Sequence, residues 1–596
     1  MKRRCKTSVG RKSVVFGDVL DVIDDRSEER NPDTGPDESD SIYTIRVSLD
    51  QVVVALRHPS VLYFRGVVEA KAIAGSFETM GYQVNDDDGR TYTLFSLEDS
   101  SANYISTVRY TVMTGRYLNV LFQLGLNEDV IYKIVNHVGC MGTVVLLSNA
   151  VERFQRWNEF LTSLDIQVFP AKLRKRGFPL FPEAEEALGA VFDDAGGTRI
   201  PKKLNICKDW DVIMSAFPTD QHFKVLFCGG KGVGKSTTMR YMINRRLQVS
   251  PKVLVIDLDV GQSEFTICGS VSAVVVYTPL LGPNYTHLKN PSRSYFVGNI
   301  DIAMSISSYL NAVRKLLNYC LYNPQFSNCT WFINTMGITK GIGLGLLATI
   351  IKLVLPDFVL QIQSNDNQLN FDAQLQPQNI LGYGAPRLFD IKKYTLFTVR
   401  SAVISSYKDR RFSNIIGLTP KTLREIVMLV YLRRAAVDNN KRSRFFKYIK
   451  ISEKNWKPPP PRIYDQPCEQ VSLFSAECAT NKELNGKNLV CGYWELVTLS
   501  SSSVEECNPI VLGHGLAKEC FENGQRYMLI LSPLSAKTWC KVKSVFLAEK
   551  VNLSKTLITL ITRVFDSHGL VPGMIVSDFR DTDGNEIPIK KQLFFD

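Results

Sequence analysis

Phe223-Lys224-Val225-Leu226-Phe227-Cys228-Gly229-Gly230-Lys231-Gly232-Val233-Gly234-Lys235-Ser236 is the stretch that decides the fold. Phe223–Cys228 is apolar but for Lys224 and reads as a strand. Gly229–Lys235 is a glycine-rich loop, and Ser236–Leu247 reads as a helix with Met239, Ile243 and Leu247 on one face. The segment Gly229–Ser236 fits the P-loop pattern G-x-x-x-x-G-K-[ST]. In that pattern glycines let the backbone curl so that amide N–H groups point inward at phosphate oxygens, and the helix adds the positive end of its dipole. Gly229, Gly230, Lys231, Gly232, Val233, Gly234, Lys235, Ser236 and Thr237 are therefore the expected nucleotide-binding residues. Lys235 is placed to reach the β and γ phosphates, and the Ser236 hydroxyl to ligate magnesium. Four fixed positions match by chance about once in ~25,000 windows, and the flanking strand and helix make an accident rarer still.

Two related classes are not supported. A deviant P-loop carries an extra lysine five residues before the invariant one, and that position is Gly230. The Asn-Lys-x-Asp signature that reads guanine is missing, so ATP is the expected nucleotide.

Downstream, Val253-Leu254-Val255-Ile256-Asp257-Leu258-Asp259 is a second apolar strand, ending in carboxylates. A magnesium-nucleotide site needs an acid delivered beside the P-loop serine. Residues at i and i+2 on a strand point the same way. Asp257 and Asp259 are thus both candidate metal ligands with Ser236, one holding metal-bound water and the other accepting a proton from an attacking hydroxyl. A single metal-site acid with a capping aspartate is the alternative. Trp331–Asn334 and Phe358–Ile362 read as further strands, with helices at Ala303–Tyr319 and Leu344–Leu355 between them. Such alternation implies an α/β unit with a parallel sheet covered on both faces, spanning residues 205–434.

The flanking regions read differently. Residues 1–41 are a basic and then acidic arm without a packed core, with Met1–Lys12 a candidate nuclear import signal. Residues 42–204 favour strands, at Ser60–Val67, Ala72–Val84, Thr91–Leu97 and Gly142–Leu147, with a turn at Asp86–Gly89. Pro179–Gly197 reads as a linker into the central unit. Residues 435–462 are a basic segment followed by a stiff proline-rich linker, and residues 463–596 a second β-rich domain. The fold expected is a central P-loop domain flanked by β-rich N-terminal and C-terminal domains.

Bulk properties bound the partners. The chain has 596 residues, 45% hydrophobic and 22% charged, too long for one core. No apolar run approaches the ~20 residues of a membrane span, so no membrane partner is expected. Thirteen cysteines without a Cys-x-x-Cys pair point to reduced thiols, and six scattered histidines offer no zinc-type spacing. A net charge of +12 mildly favours a polyanion. Two clusters are candidate RNA-tracking surfaces or merely solvated loops: Lys172, Arg174, Lys175 and Arg176, and the run from Arg433 to Tyr448.

The motifs resemble a known family. Asp257-Leu258-Asp259-Val260-Gly261-Gln262-Ser263-Glu264-Phe265 and Thr278–His287 are similar to the polynucleotide 5′-hydroxyl kinases of pre-rRNA processing, of the nucleolar type. Tyr295–Gly298, Ile333–Gly341 and Leu418–Glu425 continue the likeness; similarity to the kinase of the mRNA cleavage factor is more distant. The resemblance implies ATP and Mg²⁺ as cofactors and RNA with a 5′-hydroxyl end as substrate. It also implies a partner endonuclease of rRNA spacer cleavage and a place in the nucleus and nucleolus. By it, Lys235, Asp259 and Arg424 are catalytic: Asp259 as metal-organising residue and general base, Arg424 in a lid with Arg410 and Arg411 as alternatives. Gln262, Glu264, Thr335 and Gly337 line the substrate and nucleotide pocket. Relatives often carry tryptophan where this chain has Ile338, which is either a lost stacking platform or a core residue. A catalytically weak scaffold that supports a nuclease complex is the alternative function.

Overall fold

The computed structural model describes residues 41–109, 114–162, 166–170, 178–200, 202–384, 393–402, 418–436, 446–451, 472–475, 495–501, 508–522 and 525–534, with short pieces to 547. The arm, the cluster from Lys172 to Arg176, Arg410, Arg411, Lys441 to Phe445 and the proline run fall outside those residues.

The N-terminal domain begins with β1 (Ile42–Arg46), β2 (Gln51–Leu56), β3 (Val61–Ala74), β4 (Ser76–Thr79), β5 (Tyr82–Asn85), β6 (Tyr92–Ser96) and β7 (Asn103–Val108). Helices α1 (Thr114–Gln123) and α2 (Glu128–Val138), strand β8 (Thr143–Asn149), helices α3 (Val151–Thr162) and α4 (Pro182–Leu188), and strand β9 (Val191–Asp193) complete it. The nine strands form one sheet in which the long β3 pairs with β6, β7, β8 and β9. The run Ala72–Val84 is not one strand. It folds over at Met80 and Gly81, both at positive φ (51° and 80°), so that β4 and β5 form a tight hairpin.

Pro179–Gly197 is not a linker. Pro182 opens α4, Gly189 closes it at φ 60°, and β9 then pairs with β3. What fixes the segment is charge. Glu185, 2% exposed, takes both guanidinium nitrogens of Arg199, and Asp193 pairs with Lys203 at 3.0 Å. Proline and glycine here start and stop a helix instead of marking open chain.

The central domain runs through α5 (Lys208–Ala216), β10 (Lys224–Gly229), α6 (Lys235–Leu247), β11 (Val253–Asp257), β12 (Ser270–Val276), β13 (Arg293–Phe296) and α7 (Ile306–Tyr322). It continues with β14 (Thr330–Asn334), α8 (Gly343–Val354), β15 (Phe358–Gln363), α9 (Pro377–Ile380), β16 (Thr395–Arg400) and α10 (Pro420–Ala436). Its seven strands lie in the order β13-β12-β11-β14-β10-β15-β16. β11, β14, β10, β15 and β16 are parallel, while β12 and β13 extend the sheet antiparallel. Alternate residues feed opposite faces. Leu226, Cys228, Leu254, Ile256 and Ile333 enter the core under α7 and α8. Val225, Phe227, Val253, Val255 and Phe332 enter the one under α5 and α6. Burial on both faces is why these strands are unbroken apolar runs.

Strand β10 leads by α6 to β11 on one side, and β14 leads by α8 to β15 on the other. The order reverses between β10 and β14, and a crevice at the carboxyl ends of such strands is where α/β sheets bind ligands. The P-loop and Asn334–Gly337 both emerge there.

The N-terminal domain grips the P-loop helix directly. Asn244 of α6 donates to the carbonyls of Met80 and Leu280 (2.8 and 3.0 Å) and accepts from the Leu280 amide at 2.7 Å. A six-stranded C-terminal sheet holds β17 (Phe446–Ile451), β18 (Ser472–Ser475), β19 (Glu495–Ser500), β20 (Val511–Glu522), β21 (Gln525–Leu531) and β22 (Ser544–Leu547). Phe446–Ile451, within the stretch assigned to the basic segment and linker, is thus a strand paired with β21. Asn508 ties this domain to the central one, donating to the Phe296 carbonyl and the Ser308 hydroxyl at 3.0 and 2.8 Å.

Candidate active site

The loop between β10 and α6 is shaped by glycines that have no substitute. Gly229, Gly232 and Gly234 stand at φ 145°, 77° and 98°, which residues with a Cβ rarely adopt. At Gly230 a Cβ would lie 2.3 Å from the Leu369 carbonyl, so no lysine fits there. Val233 is buried, and its carbonyl accepts a hydrogen bond from Ser401 at 2.8 Å. Lys231 is exposed, and Ser236 and Thr237 are partly exposed at the start of α6.

Lys235 is 8% exposed and folds back over the loop, its Nζ donating to the carbonyls of Gly229 (3.1 Å) and Gly230 (2.8 Å). Burial pulls its pKa below the ordinary lysine value, and the negative charge of Asp259 opposes that shift. An ammonium held in a loop of carbonyls and curled amides, beside a carboxylate, is a donor set that fits a magnesium triphosphate.

The two aspartates play different parts. Leu258 adds one last bond to the sheet, its amide donating to Asn334 at 3.0 Å, and the chain then turns away. Asp257 stays behind, 1% exposed. Its Oδ1 accepts from the Asp259 amide (3.2 Å) and Asn334 Nδ2 (3.0 Å), and its Oδ2 from the Glu264 amide (2.6 Å). Desolvation, then the neighbouring Asp259, pushes its pKa up to about 7. Asp257 therefore braces the loop, with each of its oxygens accepting at least one protein donor. Asp259 is partly exposed and faces Lys235 electrostatically. Its Oδ1 accepts the amides of Gly261 and Gln262, each at 3.0 Å, while Oδ2 accepts no hydrogen bond among the described residues.

The remaining expectations divide. Gly337 comes against the P-loop, where an added Cβ would lie 2.8 Å from Cα and N of Lys231. Gln262 is partly exposed on the Asp259 loop. Thr335 does not offer its hydroxyl to a ligand: it is buried and donates to the Phe227 carbonyl at 2.7 Å, tying β14 to β10. Glu264 does not line an open pocket either. It is 2% exposed and held by Arg240 through two bonds (2.5 and 2.9 Å) and by His287 at 2.8 Å. Burial alone would raise its pKa, but Arg240 and His287 hold it down to about 2. Arg424 lies on α10, partly exposed, and its charge acts on buried Cys268. No described hydrogen bond or ion pair joins Arg424 to Lys235, Ser236 or Asp259. Ile338 packs partly buried against the core and lines a small apolar depression with Met336, Leu346 and Phe371.

Asn334, Arg240 and His287 were given no role by the sequence. Asn334 ends β14 level with both Asp257 and Phe227, a register that only the folded sheet reveals.

Two family models match parts of the chain. Residues 41–193 match the model of the N-terminal domain of polynucleotide 5′-hydroxyl-kinase NOL9, and residues 229–407 that of the mRNA cleavage and polyadenylation factor CLP1 P-loop. Among curated relatives, polynucleotide 5′-hydroxyl-kinase NOL9 of Drosophila melanogaster is 36% identical over 275 residues, 42% of this chain and 27% of that one. The Dictyostelium discoideum protein of the same name is 28% identical over 341 residues, 53% and 47%. The Homo sapiens one is 34% identical over 157 residues, 26% and 21%. The chain thus spans from about a fifth to about half the length of these relatives. A solved structure of a wild-type Clp1p–Pcf11p complex aligns over 83% of this chain and 96% of that one, at 12% identity and a TM-score of 0.48.

Proposed function

We propose that this chain, whose N-terminal and central domains carry the signatures of the polynucleotide 5′-hydroxyl-kinase family, transfers the γ-phosphoryl group of ATP to a 5′-hydroxyl polynucleotide end. The observation that carries the proposal is the Asp259 carboxylate beside Lys235 at the P-loop mouth, one oxygen fixed by two amides and the other uncommitted among the described residues. The activity for which the fly, slime-mould and human relatives are named supports it.

Each residue's part follows from its place. The amides of Gly229–Ser236 and the start of α6 cradle phosphate oxygens. The Lys235 ammonium, desolvated, exchanges its two carbonyl partners for phosphate oxygens, where charge interaction is strong because water is excluded. Ser236 and Asp259 would hold the magnesium ion, which when bound neutralises charge developing on the phosphates. Oδ2 of Asp259 takes the proton of the incoming hydroxyl while Oδ1 stays anchored.

The finer proposal is an RNA end made by an endonuclease during ribosomal RNA spacer processing, in the nucleolus, with that endonuclease as partner. It follows the resemblance in the motifs, and the net charge of +12 suits a polyanion. The test is label transfer from γ-labelled ATP to matched 5′-hydroxyl RNA and DNA oligonucleotides. Transfer by the wild type and none by Lys235→Ala is the expected result. Undiminished transfer by Lys235→Ala would reject the assignment.

A further inference from the structure

The loop that presents Asp259 is anchored at both ends. Its start is closed by Asp257, which collects the amides of Asp259 and Glu264. Its far end is closed by the Glu264 side chain, which takes two nitrogens of Arg240. Arg240 stands on α6, on the same rigid helix as Lys235. A second hand holds Glu264 from outside, since His287 Nε2 lies 2.8 Å from Oε1. The charge of Asp99, a residue of the N-terminal domain that accepts the Tyr285 hydroxyl at 2.8 Å, also bears on Arg240.

A buried ion pair is a poor source of net stability, because desolvating two charges offsets most of their attraction, and an apolar pair of like volume is often as stable. What such a pair does supply is a fixed geometry, since a guanidinium fork and a carboxylate meet in one orientation. Here Arg240 and Glu264 are 13% and 2% exposed, and the orientation they fix is that of the Asp259 loop relative to the helix carrying Lys235.

We propose that Arg240 and Glu264, with His287 behind them, are positioning residues that hold the Asp259 carboxylate in register with Lys235. Glu264 acts through the loop and touches no substrate. The proposal rests on the kinase reading for its catalytic consequence and on the structure alone for its geometric one, so the two can fail separately.

The test uses the full chain with the pair replaced by apolar residues of similar volume, Arg240→Met/Glu264→Leu. This keeps the amide of residue 264 and removes both charges of the pair together, while Asp99 keeps the Tyr285 hydroxyl. Three quantities are read: deuterium uptake of the peptide 257–265, Mn²⁺ affinity of the protein–ADP complex by electron paramagnetic resonance, and steady-state transfer. The expected result is faster exchange confined to that loop, and Mn²⁺ affinity lowered about tenfold. The transfer kcat should fall by about 10²-fold with KM for ATP little changed, the cost of an ångström of misplacement. Wild-type exchange and Mn²⁺ affinity in the double variant would overturn the proposal. So would loss of ADP binding together with P-loop protection, which would make the pair a prop for the whole domain. If the double variant does not fold, Arg240→Lys, which keeps the charge but not the fork, is measured in the same way. If the wild type transfers no phosphate, the kinase reading falls, and the exchange and Mn²⁺ readings still decide the positioning role.

Discussion

Gly337→Ala is the sharpest test of the crevice, because the added group is a single carbon and its neighbour is backbone. The new Cβ would lie 2.8 Å from both Cα and N of Lys231 and 3.1 Å from the Gly230 carbonyl carbon. Ordinary contact begins at 3.4 Å, so 3.4 − 2.8 = 0.6 Å must be found by moving the P-loop or the end of β14. Neither moves freely. Gly229 is in the sheet against Ile362, and Thr335 is bonded to Phe227 at 2.7 Å. Gly337 is not among the glycines at positive φ, so the effect is steric and not conformational. An ångström of misplacement costs about 10²-fold, so a shift of this size should lower kcat/KM for ATP by about 10- to 100-fold, or about 1.4–2.8 kcal/mol. Gly345→Ala is the control, since its Cβ would have nothing nearer than 3.9 Å and lies within α8. That change should leave ATP binding alone and stabilise the helix by about 0.5–1 kcal/mol. ATP titration in the end-labelling assay, with calorimetry for affinity, reads both. Wild-type ATP affinity and turnover in Gly337→Ala would refute the contact between this turn and the P-loop as a determinant of the site.

Three further outcomes are expected. Asp259→Asn keeps one carbonyl oxygen for the Gly261 and Gln262 amides but loses the proton acceptor, so transfer should fall by about 10²- to 10⁴-fold while calorimetry still shows ATP bound; equal transfer rates would remove Asp259 from the chemistry. Glu185→Gln removes the buried carboxylate that takes two nitrogens of the partly buried Arg199 and should cost about 1–3 kcal/mol in the N-terminal domain, seen as a lowered denaturation midpoint; an unchanged midpoint would deny that this pair holds the β9 segment. For Asp257, the folded pKa of about 7 lies above the unfolded value near 4, so the folded state holds the extra proton. Its contribution is complete below pH ~4 and is lost as pH rises through ~7, by up to about 1.4 kcal/mol per pH unit. Asp257→Asn should flatten melting temperature against pH between those limits whatever it does to the absolute level, and an unaltered slope would show that Asp257 does not titrate there.

How much of this the sequence discloses depends on the range of the forces involved. β10, β11, β14 and β15 are legible because a strand buried on both faces has to be an apolar run, and the P-loop because phosphate binding needs glycines at fixed spacing. β12 and β13 escape notice: Ser270, Ser272 and Ser294 interrupt the pattern, and β13 is only four residues long. Helix α2 had local signs, with Asn127 capping through Val130 N, Glu128 and Asp129 in the first turn, and Ile131, Ile134 and Val138 on one face. Glu264 could not be read locally at all. Its partners are Arg240, upstream, and His287, downstream, and only the packing of α6 against the loop brings them together.

The same limit separates Asp257 from Asp259. On a continuing strand the two would point the same way and be interchangeable. The strand instead ends at Asp257, whose carboxylate caps the turn that follows, and a carboxylate so engaged is desolvated and loses its charge readily near neutrality. Its oxygens accept three protein donors, which hold it to the turn and away from solvent. Asp259, carried clear of the sheet, keeps solvent and an oxygen uncommitted among the described residues, and its charge adds to the burial that makes ionising Asp257 costly. Each carboxylate thereby takes a different part: the buried one fixes the loop, and the partly exposed one keeps an oxygen for the incoming hydroxyl of the proposed transfer.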